Sequence, residues 1–404
     1  MIIINLFLIC HHMKSFADLF QSDLEHLKIL NKNSLILSDY KDLGSLTGFN
    51  ILKNLHFLPL SLSLKRLSGR FPSCPAIICG SGPSIEQEID LLNEIKDKAL
   101  IFAGGSAMGV LKNAQIAFDF GSVIDPLSSW ATDNHLLPEN VPIFYQTRVN
   151  HDLLSDLNRL KNPLIWCPDN GSYGFEEELC STNGHSYNPF ECGWNVINFT
   201  TKIAHFMGCS PLIFLGFDLC GQKGKVYASP LESCVEKIDK KDWLMAAHWQ
   251  SHFVRNNPNV YINSSRGGRK IEFIPFREFS DVCQELLIGK NVCKDSLVDL
   301  SALESYDTKS IHDFEKKWVD SLSFCRANCE SLLKLAEKKF PLKLNEHSEG
   351  VLGIWELEQE LAYKTFLSHV WLAWKDEVGD DLLAKILFLL KIIDAFSHAK
   401  ICYH

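Results

Sequence analysis

Seven short apolar runs punctuate the middle of the chain: Pro75–Cys79 (PAIIC), Ala99–Gly104 (ALIFAG), Gly121–Asp125 (GSVID), Val141–Gln146 (VPIFYQ), Asn162–Cys167 (NPLIWC), Ser210–Leu219 (SPLIFLGFDL) and Asn259–Ser265 (NVYINSS). They are apolar throughout rather than alternating, as strands are when both faces of a sheet are covered. Helical patterns separate them, and this alternation predicts a doubly wound, mainly parallel α/β domain over residues 71–290. Upstream, Phe16, Leu19, Phe20, Leu24, Leu27 and Leu30 recur at helical spacing between Ser15 and Lys32. Residues 1–70 therefore read as a helical N-terminal segment, closing with the Ser- and Leu-rich stretch Leu60–Ser68. Beyond Asp299 no strand pattern follows. Ile311, Phe314, Trp318, Leu322, Cys325 and Leu332 step at near-helical intervals through Ser310–Lys339, and amphipathic stretches follow at Ile354–Trp374 and Asp381–Phe396. Residues 300–404 are expected to form a helical C-terminal region.

Composition narrows this picture. With 404 residues, 46% of them hydrophobic and 22% charged, the chain is an ordinary globular one with room for more than one folded unit. Its net charge of −9 leaves no basic excess to neutralise a nucleic-acid backbone. The 14 cysteines are a small share of a long chain, and several fall within apolar strands, which predicts buried thiols in a reducing cytoplasm. The opening MIIINLFLICHHMK is too short an apolar run to span a bilayer, and no Lys or Arg precedes it as in a signal peptide. Met13 is an alternative start.

The first of the seven strands runs into Gly80, Ser81, Gly82, Pro83 and Ser84 and then a helical pattern with Ile85, Ile89 and Leu92 on its buried side. Glycines allow a tight turn and close backbone approach, Pro83 suits a first helical turn, and Ser84 with Gln87 fits a capping box. Unpaired N–H groups at such a turn favour an anion. A nicotinamide dinucleotide is disfavoured, because Ile85 stands where a third glycine belongs and no carboxylate occurs at Ala103–Ser106. A turn that holds nothing remains the alternative. Further polar residues lie at later strand ends: Asp119 precedes the third run and Asp125 forms its tip, Asp218 lies near the end of the sixth between Gly216 and Gly221, and Ser264, Ser265, Arg266, Gly267, Gly268, Arg269 and Lys270 continue from the end of the seventh. Open parallel sheets bind ligands at these ends, and Arg and Lys there would suit a phosphate. Asn195 is expected to cap a helix with Val196, Ile203 and Met207 on its buried face and Gly208 at its end, aiming a second helix N-terminus at the same rim.

The order G-x-G-P-S, an Asp pair ending at a strand tip, G-x-N-V before a helix, G-x-D-L after the next strand and a late S/T-x-G-G resembles one bacterial and archaeal family. It includes the motility accessory factors, which are flagellin glycosyltransferases, and the archaeal hydroxymethyl-dihydropterin pyrophosphokinases. The resemblance covers roughly Pro75–Phe276. It implies a Rossmann-like core, nucleotide contacts at Gly80, Gly82, Pro83 and Ser84, and pocket roles for Asp125, Asn195, Asp218 and Gly267–Gly268. The chain departs from the family at Gly104-Gly105-Ser106, where an acidic or amide residue is common. Phe217 replaces an amide, and Tyr227 stands where a His is usual.

His248 and His252 lie one helical turn apart without a third ligand, and Cys325 and Cys329 share a helix face, so no metal site is assigned. Gly171–Phe175 (GSYGF) could line the pocket or form a surface loop. No nucleophile elbow or P-loop lysine occurs. The expectation is a nucleotide-dependent transferase, foremost a glycosyltransferase using a CMP-nonulosonate-like donor. The amides of Gly82–Ser84 and the turn Arg266–Lys270 would stabilise the departing phosphate, and Asp125 or Asp218 would act as base on the acceptor hydroxyl. The acceptor, a protein among the options, is left open. An ATP-dependent pyrophosphokinase requiring Mg²⁺ and a non-catalytic nucleotide-binding protein are the alternatives.

Overall fold

The computed structural model describes residues 32–127, 134–169, 173–182, 187–222, 224–231, 240–287, 292, 308–338, 348–379 and 381–398. The helical pattern placed before Lys32, together with Met13, lies outside them. Helix α1 (Lys32–Asn54) leads through a 3-10 turn to a two-residue strand, β1 (Leu62–Ser63). Then come β2 (Ala76–Cys79), α2 (Ile89–Glu94), β3 (Leu100–Gly104), α3 (Ala107–Asn113), β4 (Phe120–Val123), β5 (Ile143–Tyr145), α4 (His151–Arg159) and β6 (Leu164–Trp166). Helices α5 (Phe175–Thr182) and α6 (Val196–Phe206) return the chain to β7 (Leu212–Leu215), α7 (Lys240–Asn256), β8 (Tyr261–Asn263) and the short α8 (Phe279–Val282). The rest is helical: α9 (Thr308–Lys338), α10 (Ser348–Gln359), α11 (Ser368–Val378) and α12 (Leu382–His398).

The strands form one 8-stranded sheet in the order β1-β6-β5-β4-β3-β2-β7-β8, and every pairing is parallel. All seven apolar runs are strands. The eighth, β1, lies within the stretch read as helical: it pairs over only Leu62 and Ser63 at the sheet edge, too short to leave a pattern. From β2 the chain winds outward to β6, then crosses back to β7 and β8. The direction of winding therefore reverses between β2 and β7.

The apolar strands follow from burial on both sides. Ile77, Cys79, Ile101, Ala103, Ile213 and Leu215 belong to one core cluster, and Ile78, Leu100, Phe102, Leu212 and Phe214 to another. The first cluster also takes in Ile51 of α1, Leu55 of the 3-10 turn that follows it, and Trp318, Phe366 and Phe396 from the C-terminal helices. Even the indole N–H of fully buried Trp318 is paired, donating to Thr365 Oγ1 at 3.0 Å. The second cluster is closed by Ile197, Phe199 and Ile203 of α6 and Trp249 and Phe253 of α7. The C-terminal helices thus complete the core of one sheet face. Among the described residues no helix is long and apolar enough to cross a membrane.

Candidate functional site

Where the winding reverses, the turns after β2 and β7 are sewn together. Gly80 N–H donates to Leu215 O at 2.8 Å and Gly82 N–H to Gly216 O at 2.9 Å. A Cβ added at Gly80 would lie 2.4 Å from Gly216 O, and one at Gly82 would lie 2.5 Å from Asp218 Cγ. Both glycines therefore serve the approach of one turn to the other. Asp218, only 2% exposed, accepts from Ser84 N at 2.9 Å, from the Ser84 hydroxyl and from Gln222 Nε2 at 2.9 Å. Burial raises its carboxyl above the ordinary range, and the Ser84 and Gln222 bonds oppose the rise. The helical turn Pro83–Gln87 is thus capped by the chain's own carboxylate. The seat expected for a ligand anion at Gly82–Ser84 has its Ser84 amide filled from within.

The loop after β8 joins this knot. Ser265 Oγ accepts from Phe217 N at 2.9 Å, Arg269 N donates to Asp218 O at 2.7 Å, and Arg269 Nε donates to Leu219 O at 3.3 Å. Arg266 pairs with Glu278, while its carbonyl accepts from Gln222 Nε2 at 3.0 Å. Gly267 has a φ of +76°, and a Cβ at Gly268 would press against the Asp218 backbone at 3.0 Å. The basic turn expected to stabilise a leaving phosphate is engaged in fastening β7 to β8.

A second group lies beside it, above β2, β3 and β4. Ser81 and Ser106 share a hydrogen bond of 2.6 Å between their hydroxyls, and Ala228 N–H donates to Ser81 O at 2.8 Å. Asn195 caps α6 as expected, its Oδ1 accepting from Asn198 N at 2.9 Å. The first turn of α6 sits over the end of β3, where Ile197 and Val196 fill the space that side chains at Gly104 and Gly105 would need. Thr200 of α6 and Ser122 of β4 are joined through their hydroxyls at 2.6 Å. The glycines that depart from the family pattern therefore admit this helix.

Asp125 stands just past β4. Its side chain is exposed, yet protein rises densely around it, and the loss of surrounding water raises its carboxyl while Arg148 pulls it back. Tyr227 is raised by burial first and then by the Asp125 charge, which puts phenol and carboxyl in one electrostatic neighbourhood. Asp119, the other member of the expected pair, is structural: its Oδ2 accepts from Ile101 N at 2.8 Å.

Sequence reasoning missed several polar residues here. Arg148 follows β5, and a cation two residues after the run VPIFYQ was the available signal. Glu176 is wholly buried at the start of α5; its carboxylate accepts from the Thr147 hydroxyl at 2.5 Å, Trp166 Nε1 at 3.1 Å and Asp169 N at 2.6 Å. Burial and then the Asp169 charge push it up to about 8. Nothing distinguishes Glu176 from its neighbours in the sequence GFEEEL. Elsewhere, Cys325 and Cys329 are buried in the core, His252 Nε2 stands 3.1 Å from Asn256 Nδ2, and Tyr173 and Phe175 pack against Phe366.

Residues 49–224 match the family model described as 6-hydroxymethylpterin diphosphokinase MptE-like. That span contains Ser81, Ser106, Asp125, Arg148, Asn195 and Asp218. No curated protein matches the chain. Among solved structures it is similar to one described as MAf glycosyltransferase from Magnetospirillum magneticum AMB-1, at a TM-score of 0.53 and 14% identity, over 88% of this chain and 61% of that one. The chain therefore spans less than two thirds of that protein, and the likeness is one of fold. Residues 49–224 of this chain are thus similar to the MptE-like family, on a fold similar to that of the glycosyltransferase structure.

Proposed function

We propose that the chain is a transferase whose nucleotide-activated donor lies on the rim above β2, β3 and β4, and that it is a glycosyltransferase using a CMP-nonulosonate-like sugar. The observation that carries this reading is Asp125: a carboxyl open to solvent at a strand tip, raised by the protein around it, on the rim that the first turn of α6 overhangs. A raised carboxylate is a better proton acceptor. In sugar transfer, Asp125 would take the proton of the acceptor hydroxyl as its oxygen attacks the anomeric carbon and the bond to the nucleotide phosphate breaks. The first-turn amides of α6 other than that of Asn198, which the Asn195 cap occupies, and the helix dipole would favour that phosphate. Asp218 has its donors already and supports the turn rather than the reaction. The similarity to a glycosyltransferase fold supports this choice.

A second reading, pyrophosphoryl transfer from ATP to a pterin, is favoured by the matched family's description. It would require Mg²⁺ bridging the phosphates. Both readings place the protein in the cytoplasm. A thermal-shift panel of CMP, a CMP-sugar, ATP and ATP with Mg²⁺ separates them. Stabilisation by CMP and the CMP-sugar supports sugar transfer, and stabilisation only by ATP with Mg²⁺ supports the kinase. A flat response across the panel refutes both.

A further inference from the structure

The C-terminal helices complete the core of one sheet face and leave a second apolar face of their own uncovered. Helix α10 runs antiparallel to α9, tied by Ser321 Oγ donating to Glu360 Oε2 at 2.6 Å and Asn328 Nδ2 donating to Glu356 Oε2 at 3.5 Å. A Cβ added at Gly353 would lie 2.8 Å from Leu332 Cδ2, so the two helices approach closely there. On their outer side runs a groove of ≈ 460 Å³ whose lining includes Phe324, Ala327, Ser331, Leu335 and Leu352. Phe324 and Leu352 in the groove, with Val351 and Trp355 beside it on α10, are each between 45% and 58% exposed. Single apolar side chains at a surface need no explanation, but a contiguous set on one pair of helices marks an interaction face. The hydroxyls among them are already used: Ser323 donates to Val319 O at 3.0 Å and Ser331 to Ala327 O at 2.9 Å of their own helix.

We propose that this face pairs two copies of the chain, with α9 lying antiparallel against the partner's α9 about a two-fold axis at Ala327. Ala327 is exposed and small, so two helices can come close at that point. Asp320 and Lys334 stand one heptad before and one heptad after it, on the same side of the helix. Both are exposed, and neither has an ion pair or hydrogen bond among the described residues. In the antiparallel pair each Asp320 meets the partner's Lys334, and symmetry makes the contact twice. A parallel pair would instead set Asp320 against the partner's Asp320 and Lys334 against the partner's Lys334. The charges therefore select both a second copy and its direction. About the same axis, Phe324 falls toward the half of the groove lined by the partner's Ser331 and the partner's Leu335. One patch thus supplies both the knob and the hole, as a two-fold interface requires. The inference does not depend on the transferase reading.

Sedimentation equilibrium of the full chain over about 1 to 100 μM tests it, with a reversible dimer as the expected result. Asp320→Lys and Lys334→Asp should each weaken the dimer about 5- to 50-fold, because each turns two attractions into two repulsions. The double variant Asp320→Lys/Lys334→Asp restores the pairing with the signs exchanged and should recover most of the loss. Phe324→Asp should leave a monomer whose circular dichroism and thermal midpoint match those of the parent protein, since Phe324 lies outside the core. A monomer at every concentration would overturn the proposal, including one that instead holds a different protein on this face. So would a dimer that tolerates Phe324→Asp, because its interface lies elsewhere. A dimer weakened by each charge reversal and not recovered by the double variant would also overturn it, because its helices do not meet in the antiparallel register.

Discussion

Replacing Asp218 with Ala separates a capping carboxylate from a catalytic one. The substitution strips three donors of their acceptor: the Ser84 amide, the Ser84 hydroxyl and Gln222 Nε2. Ser84 is 1% exposed, so its two donors remain in the interior without water, whereas half-buried Gln222 can recover solvent. Loss of a cap costs about 1 kcal/mol, and a buried donor left unsatisfied about 1–3 kcal/mol. Relief of the burial penalty that raises the Asp218 carboxyl offsets part of this. A net loss of about 2–4 kcal/mol is expected. Urea unfolding followed by tryptophan fluorescence should show it as a midpoint lowered by roughly 1 M, given slopes near 3 kcal/mol/M. Asp218→Asn, which keeps one acceptor oxygen, should lose less. If Asp218→Ala were as stable as the parent chain and yet inactive, the carboxylate would be catalytic and the capping account refuted.

Other outcomes follow from the same geometry. Glu176 has a folded value of about 8 against an ordinary 4.5, so the folded state keeps a proton that the unfolded chain releases as pH rises between them. Its contribution is complete below pH 4.5 and lost by pH 8, up to about 5 kcal/mol at 1.36 kcal/mol per unit. Urea midpoints should therefore fall across this window; Glu176→Gln should flatten the slope, and an equal slope in both proteins would count against the buried carboxyl. Gly82→Ala should cost about 1–3 kcal/mol, because the new Cβ meets Gly216 O as well as Asp218; an unchanged thermal midpoint would contradict the close seam. Asp125→Asn should abolish release of CMP from a CMP-sugar. In the parent protein that rate should rise with pH through a value above the usual carboxylate range, because the base must be ionised. A rate that falls as pH climbs from 4 to 7 would remove Asp125 from the base role.

The layers of the fold were legible because burial on both faces leaves a plain trace: Ile77–Ile78, Ile101–Phe102 and Ile213–Phe214 send neighbouring side chains to opposite cores. β1 left none, since a two-residue edge strand takes its place from β6 rather than from its own composition. Asn195 was legible as a cap, a local role set by the residues that follow it. The glycine and basic turns were visible as special backbone, but not what they approach. Gly82 makes room for Asp218, which lies 136 positions away, and sequence spacing carries no record of that meeting. Arg148 and Glu176 were missed for a related reason. Their importance comes from Asn50, Asn54 and Thr147, which only the folded sheet brings to one turn.

A crystal structure after diffusion of CMP into the protein is the most direct examination of the nucleotide site. The account predicts phosphate density on the rim between Asp125 and the first turn of α6, with the Asp218–Ser84 bonds undisturbed. Phosphate density at Gly82–Ser84, with Asp218 displaced from its cap, would contradict it.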